Sequence, residues 1–187
     1  MHLGIKTREL IPDERSCLLA HLLALDAEDR RLRFGQVLSD DGIRKYTESI
    51  DLSRDAVFVS TDDELAIVGA AHLAREEDHA QLGVSVLAKS RGQGIGEALL
   101  ERCASRTRIW GVRILFMNCL VENAPMMHLA RKQGLRIVSS GTEAEAFVRL
   151  PRADLASVAA EVTAEHVGLF DHALKAGWLA LQGRRPR

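Results

Sequence analysis

One segment of this chain carries residue types at a spacing that can hold an anion. From Val84 to Leu100 it reads Val-Ser-Val-Leu-Ala-Lys-Ser-Arg-Gly-Gln-Gly-Ile-Gly-Glu-Ala-Leu-Leu. A strand pattern runs into a glycine turn and then into an amphipathic helix. The first N–H groups of such a helix have no intrahelical acceptor, and the aligned peptide dipoles add about half a positive charge there. Gly92, Gly94 and Gly96 remove the side chains that would keep an anion away, and Arg91 adds a cation. The chemistry predicted is main-chain binding of a pyrophosphate. Two other phosphate loops fail on spacing. The Walker loop needs Lys followed by Ser or Thr after its last glycine, and Gly96 is followed by Glu97. The dinucleotide fingerprint needs G-x-G-x-x-G, whereas Gly92 to Gly96 reads G-x-G-x-G, and no acidic residue closes the next strand at Phe116-Met117-Asn118.

What the loop does match is Arg-x-x-Gly-x-Gly, at Arg91, Gly94 and Gly96. The match extends to the strand Gln81 to Val86 before it and the strand Ile114 to Leu120 after it. It continues through Glu122-Asn123-Ala124-Pro125 and the helix ending at Gly134-Leu135. Together these segments resemble the GCN5-related N-acetyltransferase (GNAT) superfamily. The resemblance implies an α/β (α+β, three-layer) fold: a mixed, V-splayed central sheet of about six to seven strands with helices on both faces. It implies acetyl-CoA as co-substrate, lying in the splay. Main-chain groups near Val86 and Ala88 would pair with the pantetheine arm. N–H groups across Arg91, Gly92, Gln93, Gly94, Ile95 and Gly96 would take the pyrophosphate. Asn123 would stand near the pantetheine or the thioester, a role compatible with capping the helix that Pro125 enters.

Acyl transfer to an amine needs a route for a proton off the amine, stabilisation of the developing oxyanion, and a fate for the leaving thiolate. Many family members carry a glutamate on the strand before the loop, where this chain has Gln81. Many carry a tyrosine four residues before the helix-ending glycine, where this chain has Ala130. Neither residue transfers protons. His79 lies two residues before Gln81, and a free imidazole titrates near ~6.5, so His79 and Glu77 are the catalytic candidates; Glu76 shares their turn. His128 lies on the helix after Asn123. His72, on an apolar strand, reads as a satisfied core histidine, and Cys119 as a buried strand cysteine. The only tyrosine is Tyr46, in an early helical region. A second function class stays open on these grounds: a catalytically weak or inactive acyl-CoA-binding regulatory or sensor module.

The elements that must position these residues are legible as pattern. Gly4 to Leu10 fits a first strand. Pro12 opens a helix carrying Leu18, Leu19, Leu22, Leu23 and Leu25. Asp26 to Gly35 reads as a charged connector. Its arginines either attract a carboxylate or phosphate on the acceptor or form an ion-pair cluster with Asp26, Glu28 and Asp29. Ser39 or Asp40 caps a short helix running to about Ile50. Strands follow at Ala56 to Ser60, Leu65 to Leu73 and Ala80 to Leu87, with Gly69 marking a bulge or close approach. After the glycine loop come a helix to about Trp110, a strand from Val112 to Leu120 and a helix from Ala124 to Gln133. Two more strands follow, at Leu135 to Ser139 and Glu145 to Leu150. Residues 3–151 form the predicted GNAT-like domain. Residues 152–187 form an extension: a long amphipathic helix and a basic tail from Gly183 to Arg187. The helix's apolar stripe must be covered, either by its own domain or by a second copy in a homodimer.

Composition closes off other classes. Among 187 residues, 25 Lys+Arg balance 26 Asp+Glu, which argues against a globally basic nucleic-acid binder. Apolar runs fall short of the ~18 residues that span a bilayer, so no membrane association is expected. Cys17, Cys103 and Cys119 are odd in number and lack metal spacing, predicting no metal and a cytoplasmic protein. The expected partners are an acyl-CoA and an amine acceptor.

Overall fold

The computed structural model describes residues 5–183. A strand β1 (Arg8–Glu9) leads through a 3-10 turn at Pro12–Glu14 into α1 (Arg15–Leu23), α2 (Ala27–Phe34) and α3 (Asp40–Ser49). Strands β2 (Ala56–Thr61), β3 (Ile67–Arg75) and β4 (Ala80–Val86) then form an antiparallel meander. Helix α4 (Ile95–Ile109), strand β5 (Ile114–Leu120), helix α5 (Ala124–Lys132) and the hairpin β6 (Arg136–Ser140) and β7 (Glu143–Arg149) follow, and α6 (Leu155–Leu181) closes the chain. The sheet order is β1-β2-β3-β4-β5-β7-β6. Every pairing is antiparallel except β4 with β5.

That one parallel pairing makes the functional opening. β4 stays registered with β3 from Ala80 to Val86, but meets β5 only at Ala80↔Leu115 and Gln81↔Phe116. Beyond Gln81 the two strands part, giving the V-splayed mixed sheet. Leu87 N–H bonds Val68 O on β3. Main-chain groups alternate sides along a strand, so those of Val86 and Val84 point into the splay.

Helices cover both faces. α4 lies on one, where Leu99, Leu100 and Cys103 are fully buried with Phe58, Leu73, Leu115 and Met117. α1 and α3 lie on the other, where Leu18, Leu22 and Ile43 pack on Val57, Val59 and Ala70. Gly69 is both things its position predicted. The register shifts beside it between Ser60 and Thr61, and a Cβ there would lie 2.5 Å from Ile95 Cγ2.

Two expectations need correction. The Asp26 to Gly35 connector is mostly helix. Asp26 caps α2 by accepting from Asp29 N–H at 2.8 Å, and Gly35 ends it with φ +75°. The larger correction concerns α6, which docks on its own domain by its charged face. Glu161 and Glu165 reach Arg102 at 3.2 and 2.5 Å, and Asp171 meets Lys6 at 2.5 Å. A Cβ on Gly168 would strike Thr7 O at 2.3 Å, so the helix backbone touches β1 directly there. Phe170, Leu174, Trp178 and Leu181 point away, more than half exposed. Of the two covers expected for the stripe, its own domain or a second copy, the domain does not supply one, because Arg102 and Arg106 already occupy its surface and need carboxylates. The tail beyond Gly183 lies outside the described residues.

Candidate functional site

Two cavities open along the splay and share Leu32 and Arg33 in their walls. The larger is a groove of about 650 Å³ bounded by Val84 to Val86, Ser90 to Glu97, the α2 side chains Asp29 and Leu32, and the start of α5. The glycine loop builds one side of it. Gly92 and Gly94 hold φ +74° and +87°, the left-handed turn that lets the loop fold back before α4 begins. Gly94 is the N-cap and offers no side-chain acceptor, and the first intrahelical bond runs from Ala98 N–H to Gly94 O. The N–H groups of Ile95 and Gly96 therefore have no helical acceptor, at the positive end of a fifteen-residue helix. A Cβ on Gly92 would meet nothing within 4 Å, so the loop stands open to solvent there. This arrangement fits a pyrophosphate.

Arg91 stands at the groove wall in a fixed pose. Its Nε–H donates to Val86 O at 3.1 Å and its Nη2 to Asp29 Oδ1 at 2.5 Å. Asn123 does two jobs. Its Oδ1 accepts from Met126 N–H at 3.2 Å, capping α5, and its Nδ2 donates to Leu32 O at 3.4 Å, tying α5 to α2 across the splay. His128 also lines the groove. Of the residues predicted for the cofactor, Val86, Arg91, Gly92, Gln93, Gly94, Ile95, Gly96 and Asn123 all bound this one cavity. Ala88 sits behind them in a 3-10 turn at Ala88–Ser90, where its carbonyl accepts from Arg91 N–H at 3.3 Å.

The smaller cavity, about 390 Å³, is walled by side chains: Arg33, Phe34, Tyr46, His72, Gln81, Asn118 and Glu143 among them. Here three residues form a hydrogen-bonded chain. Tyr46 Oη lies 2.8 Å from His72 Nδ1, and His72 Nε2 lies 3.1 Å from Asp55 Oδ2. Asp55 is buried, and its Oδ1 also accepts from Arg75 N–H. A carboxylate at Nε2 assigns the imidazole proton to that nitrogen, leaving Nδ1 to accept from the tyrosine hydroxyl. Burial holds the His72 pKa below 6.5; the bond to Asp55 opposes this, and the nearby Arg33 charge adds to it. His72 is thus neutral at pH 7 and able to accept a proton.

His79 and Glu77 lie elsewhere. His79 bonds Asp78 at 2.7 Å at the β3–β4 turn and meets Phe116 edge-on, and Glu77 is exposed in that turn. Neither lines either cavity. Gln81 does line the smaller one, as an amide, while Ala130 is fully buried under α5 beside the sheet core. Tyr46 and His72 are the functional candidates that pattern reasoning passed over. The available signal was a lone tyrosine and a histidine on an inward strand position.

A second histidine supports the groove from beneath. His21 is buried, with Nδ1 on Ile67 O at 3.0 Å and Nε2 on Ser85 Oγ at 2.9 Å, and burial pushes its pKa down to about 4. Among the described residues no helix is long and apolar enough to cross a membrane.

Known structures share this frame. The GNAT domain of S. lividans PAT is 19% identical, with a TM-score of 0.67 over 77% of this chain and 89% of its own. The yncA protein of Salmonella typhimurium, a putative acetyltransferase solved with its cofactor acetyl-CoA, is 16% identical, with a TM-score of 0.60 over 81% and 96%. The ribosomal-protein-alanine N-acetyltransferase of Brucella melitensis is 19% identical, with a TM-score of 0.56 over 75% and 96%. At such identities the likeness is one of fold. Sequence adds what fold cannot: a family model for the acetyltransferase (GNAT) family matches residues 20–135, spanning α2, the splay, the glycine loop and α5. On the splayed sheet and that match together, this chain belongs to the GNAT acetyltransferase family.

Proposed function

We propose that the protein is an N-acyltransferase that moves acetyl from acetyl-CoA to the amine of a small molecule or protein by direct attack. The observation that carries this reading is the uncapped, glycine-led start of α4 inside a groove that adjoins a second chamber at Arg33. The N–H groups of the loop from Gly92 to Gly96, with Arg91, would hold the pyrophosphate. The inward main chain of Val84 and Val86 would pair with the pantetheine, Ala88 would support the turn, and Asn123 would hold α5 and α2 on either side of it.

Bound acetyl-CoA supplies the thioester; an amide C–N bond forms as the C–S bond breaks, and the thiolate leaves with one proton. The chain's own task is the other proton, which an ammonium must shed before its nitrogen can attack. Tyr46 accepts that proton as its hydroxyl hydrogen passes to His72 Nδ1, and Asp55 stabilises the imidazolium. This route replaces His79 and Glu77, which lie outside both cavities. Residues 3–151 carry the transfer site and 152–187 an accessory helix. The outward apolar face of α6 would be covered in a homodimer, which light scattering would detect as twice the chain mass. The three cysteines, two of them buried, suit a cytoplasmic location.

Titration calorimetry with acetyl-CoA and with CoA, followed by thiol release with an amine panel, tests the reading. Micromolar binding with turnover supports it. Binding without turnover by any amine returns the chain to the sensor reading, and no binding of either ligand removes both.

A further inference from the structure

Three arginines stand on α2, and two are fully committed. Arg30 bonds the carbonyls of Leu23, Leu25 and Leu38 and the Asp40 carboxylate, and Arg31 pairs with Glu28 and Glu122. Arg33 differs. Among the described residues no carboxylate pairs with it, and its one acceptor is Tyr46 Oη, 2.9 Å from Nη2. Its Nε is buried without a hydrogen-bond partner. The guanidinium is held in place all the same. It lies 4.8 Å from the Phe34 ring centre and 5.7 Å from that of Tyr46. It also presses on the β4 backbone, where a Cβ at Gly83 would fall 2.3 Å from it. Its charge reaches both inner histidines, lowering the pKa of His21 and His72.

A fixed, half-buried cation without a counter-ion is costly for the protein alone. It becomes favourable when a ligand brings the anion. Among the described residues Arg33 is the only Lys or Arg in the wall of the smaller chamber, so that anion should carry one charge. A planar guanidinium edge matches a carboxylate, whereas the second charge of a phosphate would find no partner. The chamber's one acid, Glu143, forms no ion pair among the described residues and offers a counter-charge to an ammonium group. At about 390 Å³ the space is near the small end of ligand pockets, ~300–1,000 Å³.

Resting on the transferase reading above, we propose that the acceptor is a small amine that carries a carboxylate. Arg33 takes the carboxylate and the amine lies at Tyr46. Arg33 is a specificity-determining residue and the Tyr46–His72 pair removes the proton.

The test compares amino acids with their carboxamides and with phosphoethanolamine in the thiol-release assay, in the wild type and in Arg33→Met and Arg33→Lys. The expected result is a kcat/KM at least about tenfold higher for acids than for carboxamides. Arg33→Met should erase that preference, with kcat/KM for the acids falling at least about tenfold further than for the carboxamides and the extra loss appearing in KM, and Arg33→Lys should restore part of it. Equal rates for acids and carboxamides would overturn the proposal. So would a preference for phosphoethanolamine, or an equal loss for all amines in Arg33→Met. A second arm needs no turnover: calorimetry of N-acetylated amino acids and their carboxamides on the protein in the presence of CoA. Discrimination for the acid that Arg33→Met removes supports the chamber assignment even if acetyl-CoA fails to bind and the transferase reading falls. No discrimination overturns it even if acetyl-CoA binds well.

Discussion

The two cavities that meet at Arg33 are made of different material. The anion-binding side of the groove is built by one continuous stretch, Val84 to Glu97, whose working parts are main-chain N–H groups and the absence of side chains, with α2 and the start of α5 closing the other side. The chamber is built by side chains from α2, α3, β3, β4, β5 and β7, which only the fold brings together. A main-chain site is damaged only by adding bulk, charge or strain. A side-chain site is edited by single substitutions that leave the backbone alone. The same contrast predicts that variants of one cavity should leave the other's ligand untouched.

The largest effect should come from the chamber. Tyr46→Phe keeps the edge-on packing against Phe34, at 5.0 Å, and removes only the hydroxyl that links the pocket to His72. General-base catalysis contributes ~10²–10⁴-fold, so kcat should fall by about 100-fold while acetyl-CoA affinity holds. Because His72 titrates below 6.5, the wild-type kcat/KM should fall on the acid side only below that pH. A kcat within twofold of wild type would remove Tyr46 from the proton path.

The matching break in the groove is Gly96→Glu. Gly94 is the obvious target, but at φ +87° any side chain adds strain of ~1–2 kcal/mol, mixing a folding defect with a binding defect. Gly96 sits within the helix, and a Cβ there meets nothing nearer than Leu129 Cδ2 at 3.6 Å. The variant should fold and lose about 30-fold in acetyl-CoA affinity from like-charge repulsion. Unaltered affinity would show that the N–H groups of α4 do not hold the pyrophosphate.

The contrast also explains what could be read from the chain. The groove was legible because its function is written in consecutive residues: glycines, one arginine, and Asn123 at a fixed distance. The relay was not, because Tyr46, His72 and Asp55 converge only once α3 lies across the β2–β3 hairpin. Nothing in their spacing announces it. His72 was read as a satisfied core histidine and is one, since both ring nitrogens are bonded; what pattern could not show is that one bond leads to a cavity. Helix α6 was legible as a helix but not in its docking. Its 3.6-residue period was plain, but period alone does not say which face meets the domain. That was decided by Arg102, on a helix far away in sequence.

A third comparison sets His21, under the groove, against the solvent. Its pKa is about 4 in the fold and near 6.5 when unfolded, so the unfolded chain binds more protons between those values. Its contribution is therefore complete above pH 6.5 and is lost as pH falls toward 4, on the order of 3 kcal/mol. Urea unfolding at pH 7 and pH 4.5 should reveal that loss, and His21→Gln should flatten the dependence. A slope unchanged by His21→Gln would assign the acid sensitivity to other groups.

The smallest expected effect lies at the boundary between the cavities, where Gly83→Ala should reach one and spare the other. No left-handed φ is needed at Gly83, and alanine is the less costly residue in a strand, so the fold should hold. The new Cβ would lie 2.3 Å from the Arg33 guanidinium. That contact is relieved by moving the far end of a flexible side chain, not by moving β4. Arg33 would shift off the strand while the groove main chain at Val84 to Val86 stays in place. Acetyl-CoA affinity should then be unchanged, and KM for a carboxylated acceptor should rise several-fold. Adding Gly83→Ala to Arg33→Met should cost nothing further, because the methionine has no guanidinium to displace. Additive losses in that double variant would mean that Gly83 acts on the groove itself, and that the two cavities are less separable than their construction implies.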